Sequence, residues 1–263
     1  MGELIWKPLI EDMRWSYSRI TSFENCPQQF FLRYLMGETE DERYYSSFGT
    51  LIHSIIEEFY NGELRKDQLV TTFLTRYPFA VKGQRPAAST VSKYIENTVN
   101  YLKSFEPFPY NMVAVEKRVD FSIDGHNFIG FVDYVGEKDG DIVIVDNKSR
   151  DLSPRKPGKR TKNDDALDEI YRQMYLYSIP VEEEYGKPPK ELAINAYRVG
   201  RFIVEPFDKS KQDDAREWAA SKIVEIENAD NFDGKPDWFR CNWICGFTDR
   251  CEDYQYAKEM GWL

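Results

Sequence analysis

Residues 130–149 hold two short apolar runs that each lead to a carboxylate: Gly130-Phe-Val-Asp133-Tyr-Val135, then Ile142-Val-Ile-Val-Asp146-Asn-Lys148-Ser149. Val and Ile dominate, and Asp139-Gly140 sits between the runs as a turn signal, which predicts two strands rather than a helix. Alternate residues of a strand face the same side, so Asp146 and Lys148 point together and Asn147 points away. Charge at the end of an apolar strand is costly to bury unless it is paired or bound to a metal. Two readings follow from these residues alone: an Asp–Lys salt bridge at a sheet edge, or a functional site.

The flanking sequence builds outward from this pair. Ser18 is placed to cap a short helix through Asn25, and Pro27 suits the first turn of a second helix, Gln28 to Leu35. Phe48, Leu51, Ile52, Ile55, Ile56 and Phe59 recur at helical spacing, with His53 at the edge of the stripe and Glu57 one turn on. Two more helices are expected over 66–77 and 88–105. A strand over Met112 to Ile123, carrying Glu116, meets Asp124-Gly125, a hairpin signal, and pairs with Asn127 to Val135. Asp141 to Asp146 is the third strand and Asp165 to Ile179 a helix. Leu192 to Arg198 and Phe202 to Pro206 pair around Gly200, followed by a helix from Lys209 to Asn228. Trp238 to Cys251 reads as compact and irregular.

The chain has 263 residues and a net charge of −10, which looks wrong for a nucleic-acid binder. The distribution matters more than the sum. Residues 150–162 carry six Lys or Arg and one Asp, a local +5 that leaves −15 elsewhere. Arg150, Arg155, Lys156, Lys159 and Arg160 in this stretch form either a solvated loop or a guide for DNA phosphates. No apolar run reaches the roughly 20 residues of a membrane span. Residues 1–8 lack the basic and apolar regions of a signal peptide, so a cytoplasmic location is expected. No Gly-x-x-x-x-Gly-Lys-(Ser/Thr) loop occurs, so no ATP site is expected. Cys26 lies apart from Cys241, Cys245 and Cys251, and clustered cysteines in a cytosolic chain favour metal over disulfides.

Six pieces in order resemble the RecB-like branch of the PD-(D/E)xK nuclease superfamily. They are Ser18-Arg-Ile-Thr-Ser-Phe-Glu-Asn-Cys26-Pro-Gln-Gln-Phe30, Gly49-Thr-Leu-Ile-His53-Ser-Ile-Ile-Glu57, Gly130-Phe-Val-Asp133, Asp146-Asn-Lys148-Ser149, Gln173-Met-Tyr-Leu-Tyr177 and the cysteine trio. The pattern is most similar to the iron–sulfur members, the CRISPR-associated RecB-like exonucleases and the AddB nuclease domain. The resemblance implies an α/β fold with a restriction-endonuclease-like core, a central mixed sheet flanked by helices. An N-terminal helical insert and a C-terminal cysteine-rich cap would complete it. Helices would fill 1–110, the sheet and active site 111–207, and a helix with the cysteine region 208–263, as one nuclease domain.

The resemblance also implies roles. His53, Asp133, Asp146 and the Asn147 carbonyl would hold Mg²⁺ or Mn²⁺, Lys148 would contact the scissile phosphate or attacking water, and Glu116 would be an accessory acid. Gln173 and Tyr177 would line the DNA side. Cys26, Cys241, Cys245 and Cys251 would bind a 4Fe–4S cluster that staples the N-terminal helix to the C-terminal tail. Two departures stand out: Asp146 replaces the Glu of many relatives, and the trio is Cys-x3-Cys-x5-Cys where relatives usually have Cys-x2-Cys-x5-Cys. The expected activity is a DNA exonuclease acting on single strands or duplex ends. The alternatives are a structure-specific endonuclease, a nuclease of CRISPR adaptation, or a catalytically silent DNA-binding or assembly subunit. A helicase or CRISPR-adaptation partner is left open.

Overall fold

The computed structural model describes residues 6–262. Its N-terminal part is helical: α1 (Lys7–Glu11), α2 (Tyr17–Asn25) and α3 (Pro27–Phe30), which continues as a wider π turn, Phe31–Leu35. Ser16 rather than Ser18 caps α2, its hydroxyl accepting from the Arg19 N–H at 3.2 Å. Pro27 opens α3, where its missing N–H is no loss. α4 (Tyr44–Tyr60) begins a turn before the expected Phe48, because Tyr44 already belongs to its buried face. That face packs on α5 (Leu69–Ala80) and α6 (Ala88–Lys103) around Phe48, Ile52, Phe73 and Leu102. α5 runs through Pro78, past the expected end.

The sheet follows: β1 (Asn111–Ile123), β2 (His126–Lys138) and β3 (Asp141–Asn147) form an antiparallel meander. Both connections are two-residue turns with positive φ, Asp124-Gly125 and Asp139-Gly140, the conformation Asp-Gly tolerates. α7 (Lys162–Tyr185) then carries the chain over one face to β4 (Glu191–Ala196), which lies parallel to β3, and β5 (Arg201–Pro206) closes the order β1-β2-β3-β4-β5. The result is a mixed five-stranded sheet flanked by helices. β4 stops two residues short of expectation, at Ala196, because Tyr197–Val199 form a 3-10 turn. α7 is longer at both ends than expected. Thr161 and Asp164 make a reciprocal capping box at its start, and the helix continues through Pro180.

Ile142, Ile144, Leu192 and Ile194 face α7 with Leu167, Ile170 and Met174, while Val143, Val145 and Ala193 face Tyr134 and Phe108 on the other side. β3 is therefore buried on both faces, as its near-continuous apolar run requires. α8 (Lys209–Glu227) packs on α7 and α2 through Ala215, Ala219 and Ile223. The remainder comprises α9 (Trp238–Trp243) and α10 (Glu252–Glu259). This segment docks on the stretch before α4. The Asp41 N–H donates to the Gly246 carbonyl at 3.0 Å, and Arg43 donates to the Thr248 hydroxyl at 2.7 Å. No helix among the described residues is long and apolar enough to cross a membrane.

Candidate active site

Strand alternation fixes the direction of each group at the end of β3. Asp146 and Lys148 share the α7 side, where Lys148 Nζ lies 2.7 Å from Asp146 Oδ2 and 3.4 Å from Gln173 Oε1. Asn147 points the other way, toward the helical layer. The Asn195 side-chain amide donates to Asn147 Oδ1 and to the Tyr101 hydroxyl, both at 2.8 Å. The Lys148 N–H donates to the Asn195 carbonyl at 2.9 Å, so β4 holds the end of β3 in place. Sequence reasoning passed over Asn195. Its signal was there, since a polar residue ends the apolar run Leu-Ala-Ile-Asn195 as Asp146 ends its own.

From α4, His53 reaches across to the same strand end. Its Nε2 lies 3.0 Å from the Asn147 carbonyl, which can only accept, so Nε2 carries the proton of that bond. The other nitrogen, Nδ1, faces Asp133 Oδ2 at 3.6 Å and Glu116 Oε1 at 3.7 Å. A hydrogen bond on one imidazole nitrogen commits the second to a cation or proton. One ligand atom from each of His53, Glu116 and Asp133 lies within 4.8 Å of the others, a spacing that fits one metal ion. Asp133 Oδ2 also accepts from the Asn147 N–H at 2.7 Å, which ties β2 to β3.

The placement differs in emphasis from the sequence expectation. Glu116 joins His53 and Asp133 in the tight group, whereas Asp146 lies beside Lys148. The Asn147 carbonyl accepts from His53, keeping its second lone pair. Glu116 stands across from Asp133 by register and has φ of 45°, left-handed backbone on a residue with a side chain. Such a conformation costs on the order of 1–2 kcal/mol and is found where a site fixes a side chain.

Burial and charge oppose one another here. Burial pushes the Asp146 carboxyl up to about 6, against the pull of the Lys148 ammonium and with the Asp133 charge adding to the rise. Its Oδ2 is buried and, despite the short approach of Lys148, no donor is aligned on it as a hydrogen bond. Burial works to strip Lys148 of its proton, but Asp146 and Asp133 outweigh it and hold the ammonium above the ordinary lysine value. Burial likewise disfavours charge on His53, while the Asp133 charge and the bond toward Glu116 prevail and raise it. Glu57 is raised by burial and by the Glu116 charge, which adds one more acid to the neighbourhood. A concentration of carboxylates, an imidazole nitrogen facing them and a fixed ammonium is suited to a hard divalent cation next to a phosphate.

Tyr177 is buried and lies flat over Gly130, where any Cβ would collide with its ring. That contact explains the glycine in Gly130-Phe-Val-Asp133. Gln173 lines the open cleft with Lys148 and Arg172. In the basic stretch, the guanidinium groups are matched inside the molecule. Arg150 pairs with Glu169 at 2.9 Å, Arg155 with Asp168 at 2.6 Å and Glu205 at 2.9 Å, and Arg160 with Asp165 at 2.7 Å and also with Asp168. Lys156 and Lys159 are exposed.

The four cysteines line one cavity between α3 and α9. Cys26, Cys241 and Cys245 are buried and Cys251 is partly exposed. The Lys235 and Asp237 N–H groups donate to the sulfurs of Cys26 and Cys241, each at 3.5 Å. Burial pushes the Cys245 thiol up to about 11 and raises Cys241 and Cys251 as well. Among the described residues, no three cysteine sulfurs lie within 4.8 Å of one another.

Glu116 and Asp133 from the middle of two strands, His53 from a helix, and Asp146 with Lys148 at the end of β3 form an arrangement compatible with a divalent cation on a mixed sheet. Residues 14–252 match the family described as the PD-(D/E)XK nuclease superfamily, and the chain belongs to it. The chain is similar in fold to the crystal structure of a candidate exonuclease from Eubacterium rectale, with 15% identity over 97% of this chain and 93% of that one and a TM-score of 0.53. A second structure, SSO0001, aligns with 12% identity over 88% of this chain and 94% of that one, at a TM-score of 0.31, too low to bear on the fold. No curated protein matches.

Proposed function

We propose that the chain is a divalent-metal-dependent DNA exonuclease, with Asp133, Asp146, Glu116 and His53 holding Mg²⁺ or Mn²⁺ and Lys148 acting on the phosphate. The observation that carries this reading is the convergence of His53, Glu116 and Asp133 within 4.8 Å of one another, beside the Lys148–Asp146 ion pair. A bound cation supplies a water of lowered pKa and neutralises phosphate oxygens. His53 presents Nδ1 because the Asn147 carbonyl holds Nε2. Lys148 stays charged because two carboxylates outweigh its burial, so a positive group waits where charge develops, worth typically a few kcal/mol in such sites. Gln173 restrains the ammonium from the α7 side. An imidazole ligand suits Mn²⁺ at least as well as Mg²⁺. The description of the Eubacterium rectale protein as a candidate exonuclease favours cutting from an end.

The cysteine cavity supports a 4Fe–4S cluster on Cys26, Cys241, Cys245 and Cys251. Tetrahedral zinc, with Zn–S near 2.3 Å, needs sulfurs about 3.8 Å apart, whereas a cubane spreads its thiolates more widely. The shared cavity of the four cysteines and the two N–H donors aimed at their sulfurs fit the larger group.

The test is a time course with Mn²⁺ on end-labelled single-stranded and duplex DNA beside a closed circle. Stepwise shortening of the linear DNA with the circle intact is expected, and Lys148→Ala and Asp133→Asn should each reduce the rate by at least about a hundredfold. Loss of the circle would redirect the reading to an endonuclease. A wild-type protein without cleavage under either ion would leave a silent DNA-binding subunit.

A further inference from the structure

A groove of about 630 Å³ opens beside the catalytic cleft, and hydrolysis makes no use of it. Its walls come from three parts of the chain: Tyr45 and Tyr94 from the helical layer, Arg150 and Arg198 from the strand ends, and Phe239 and Arg240 from α9. Asn25, Arg150 and Glu169 line both this groove and the cleft that holds Lys148 and Gln173, so the two are continuous.

Three half-buried or exposed rings form a cluster in the groove wall. Tyr45 lies 5.4 Å from Tyr94 and 6.2 Å from Phe239, the latter pair tilted by only 31°. Phe239 is 53% exposed beside Tyr45, so part of its ring is open to solvent. The Arg198 guanidinium lies 4.7 Å over the Tyr94 ring, and its Nε donates to the Ser149 carbonyl at 2.6 Å, one residue beyond Lys148.

Charge in the groove is unbalanced toward positive. The acids that reach it are engaged: Glu169 with Arg150, Asp151 with Arg201 at 3.0 Å, and Asp237 with the Arg240 N–H at 2.7 Å. Among the described residues, Arg198 and Arg240 have no carboxylate partner. Arg198 and Arg240 are thus freer than Arg150, Arg155 and Arg160, which the acids of α7 and β5 neutralise.

We propose that this groove is a stacking subsite for single-stranded DNA. Unpaired bases rest on Phe239 and Tyr45, with Tyr94 backing Tyr45, while Arg198 and Arg240 take phosphates next along from the one at Lys148. The proposal rests on the nuclease reading and deepens it, because a duplex keeps its base faces stacked internally and offers none to these rings. Base–aromatic stacking with cationic backbone contacts is the general physics of unpaired-strand binding. α9 is the element that makes the slot, since without it Tyr45 and Tyr94 would form one open wall.

The test is fluorescence anisotropy on the full chain, with Ca²⁺ replacing Mn²⁺ to hold off cleavage. A labelled oligodeoxythymidylate is compared with a blunt duplex of equal length. Phe239→Ala should weaken binding of the single strand by about 5- to 100-fold, with a much smaller effect on the duplex, and Phe239→Trp should restore it. Arg198→Gln should reduce the salt slope of binding by about one. Single-strand affinity unchanged in Phe239→Ala would overturn the subsite, even if Lys148→Ala abolishes cleavage and so upholds the nuclease. Conversely, Phe239-dependent binding by a protein that cleaves no DNA would uphold the subsite and sink the nuclease reading.

Discussion

A carboxyl that is buried beside an ammonium and a second carboxylate, as Asp146 is, keeps its proton to a higher pH than one in water. The consequence can be worked through in sign. With its value raised to about 6, the folded, cation-free protein binds a proton that the unfolded chain has released. That advantage to the fold is complete below the ordinary carboxylate range, near 4, and disappears as pH rises to about 6. A divalent cation competes for the same oxygen, so below about pH 6 it must displace the proton. His53, also raised, adds a second competing proton. The Mn²⁺-induced rise in melting temperature should therefore be small near pH 5, grow steeply toward neutrality and then level off. A shift that is equal at every pH would show that Asp146 and His53 are not cation ligands. The side to which Asp146 and Lys148 point follows from strand alternation alone and was legible in the sequence. The left-handed backbone of Glu116 was not, because glutamate has no preference for that conformation and the strand's alternation predicts an extended φ there.

Between elements, the contact of α7 with β2 has one obligatory small residue. Gly130 lets Tyr177 lie against the strand two turns of helix beyond Ile170, and Tyr177 in turn flanks Gln173. Gly130→Ala should destabilise the protein by about 1–3 kcal/mol through overpacking, read as a lower urea midpoint. Combined with Tyr177→Ala it should cost less than the two single changes added together, because the clash disappears with the ring. Strict additivity would mean that the glycine serves some other purpose. Element positions were legible wherever a period was clean, as in α4, or a turn was chemically explicit, as at the two Asp-Gly pairs. The ends of α7 were obscured by competing signals. Thr161-x-x-Asp164 is a capping box hidden in a basic stretch, and Pro180 reads as a stop although the helix passes through it. The role of that basic stretch was hard to weigh for a related reason. Its arginines are answered by Asp168 and Glu205, which a local charge count cannot see.

For the molecule as a whole, the two ends of the sequence are joined at the cysteine cavity, where Cys26 follows α2 and the trio lies around α9. On the proposed cluster, the wild type should bind iron and absorb at about 400 nm, and Cys26→Ser should lose both. It should also lower the melting temperature by roughly 5–10 °C, at about 2–4 °C per kcal/mol for a chain of this size. A colourless wild type that carries zinc, or a variant that melts with the wild type, would contradict the cluster. That Cys26 belongs with three residues more than two hundred positions away was legible only through resemblance, since spacing alone names no distant partner. That His53 of α4 lies beside Asp133 of β2 was anticipated in the same way, whereas Glu116 rather than Asp146 completes their group. The aromatic groove was not, because Tyr45, Tyr94 and Phe239 lie too far apart in the chain for any motif to join them.

Phe239 and Cys241 are two residues apart on the same six-residue helix, one ring turned to the groove and one sulfur to the cavity. A wall anchored in this way answers to the state of its anchor. If the groove holds an unpaired strand, oxidation of Cys251, the most accessible of the four thiols, should loosen that hold while His53, Glu116 and Asp133 keep their places.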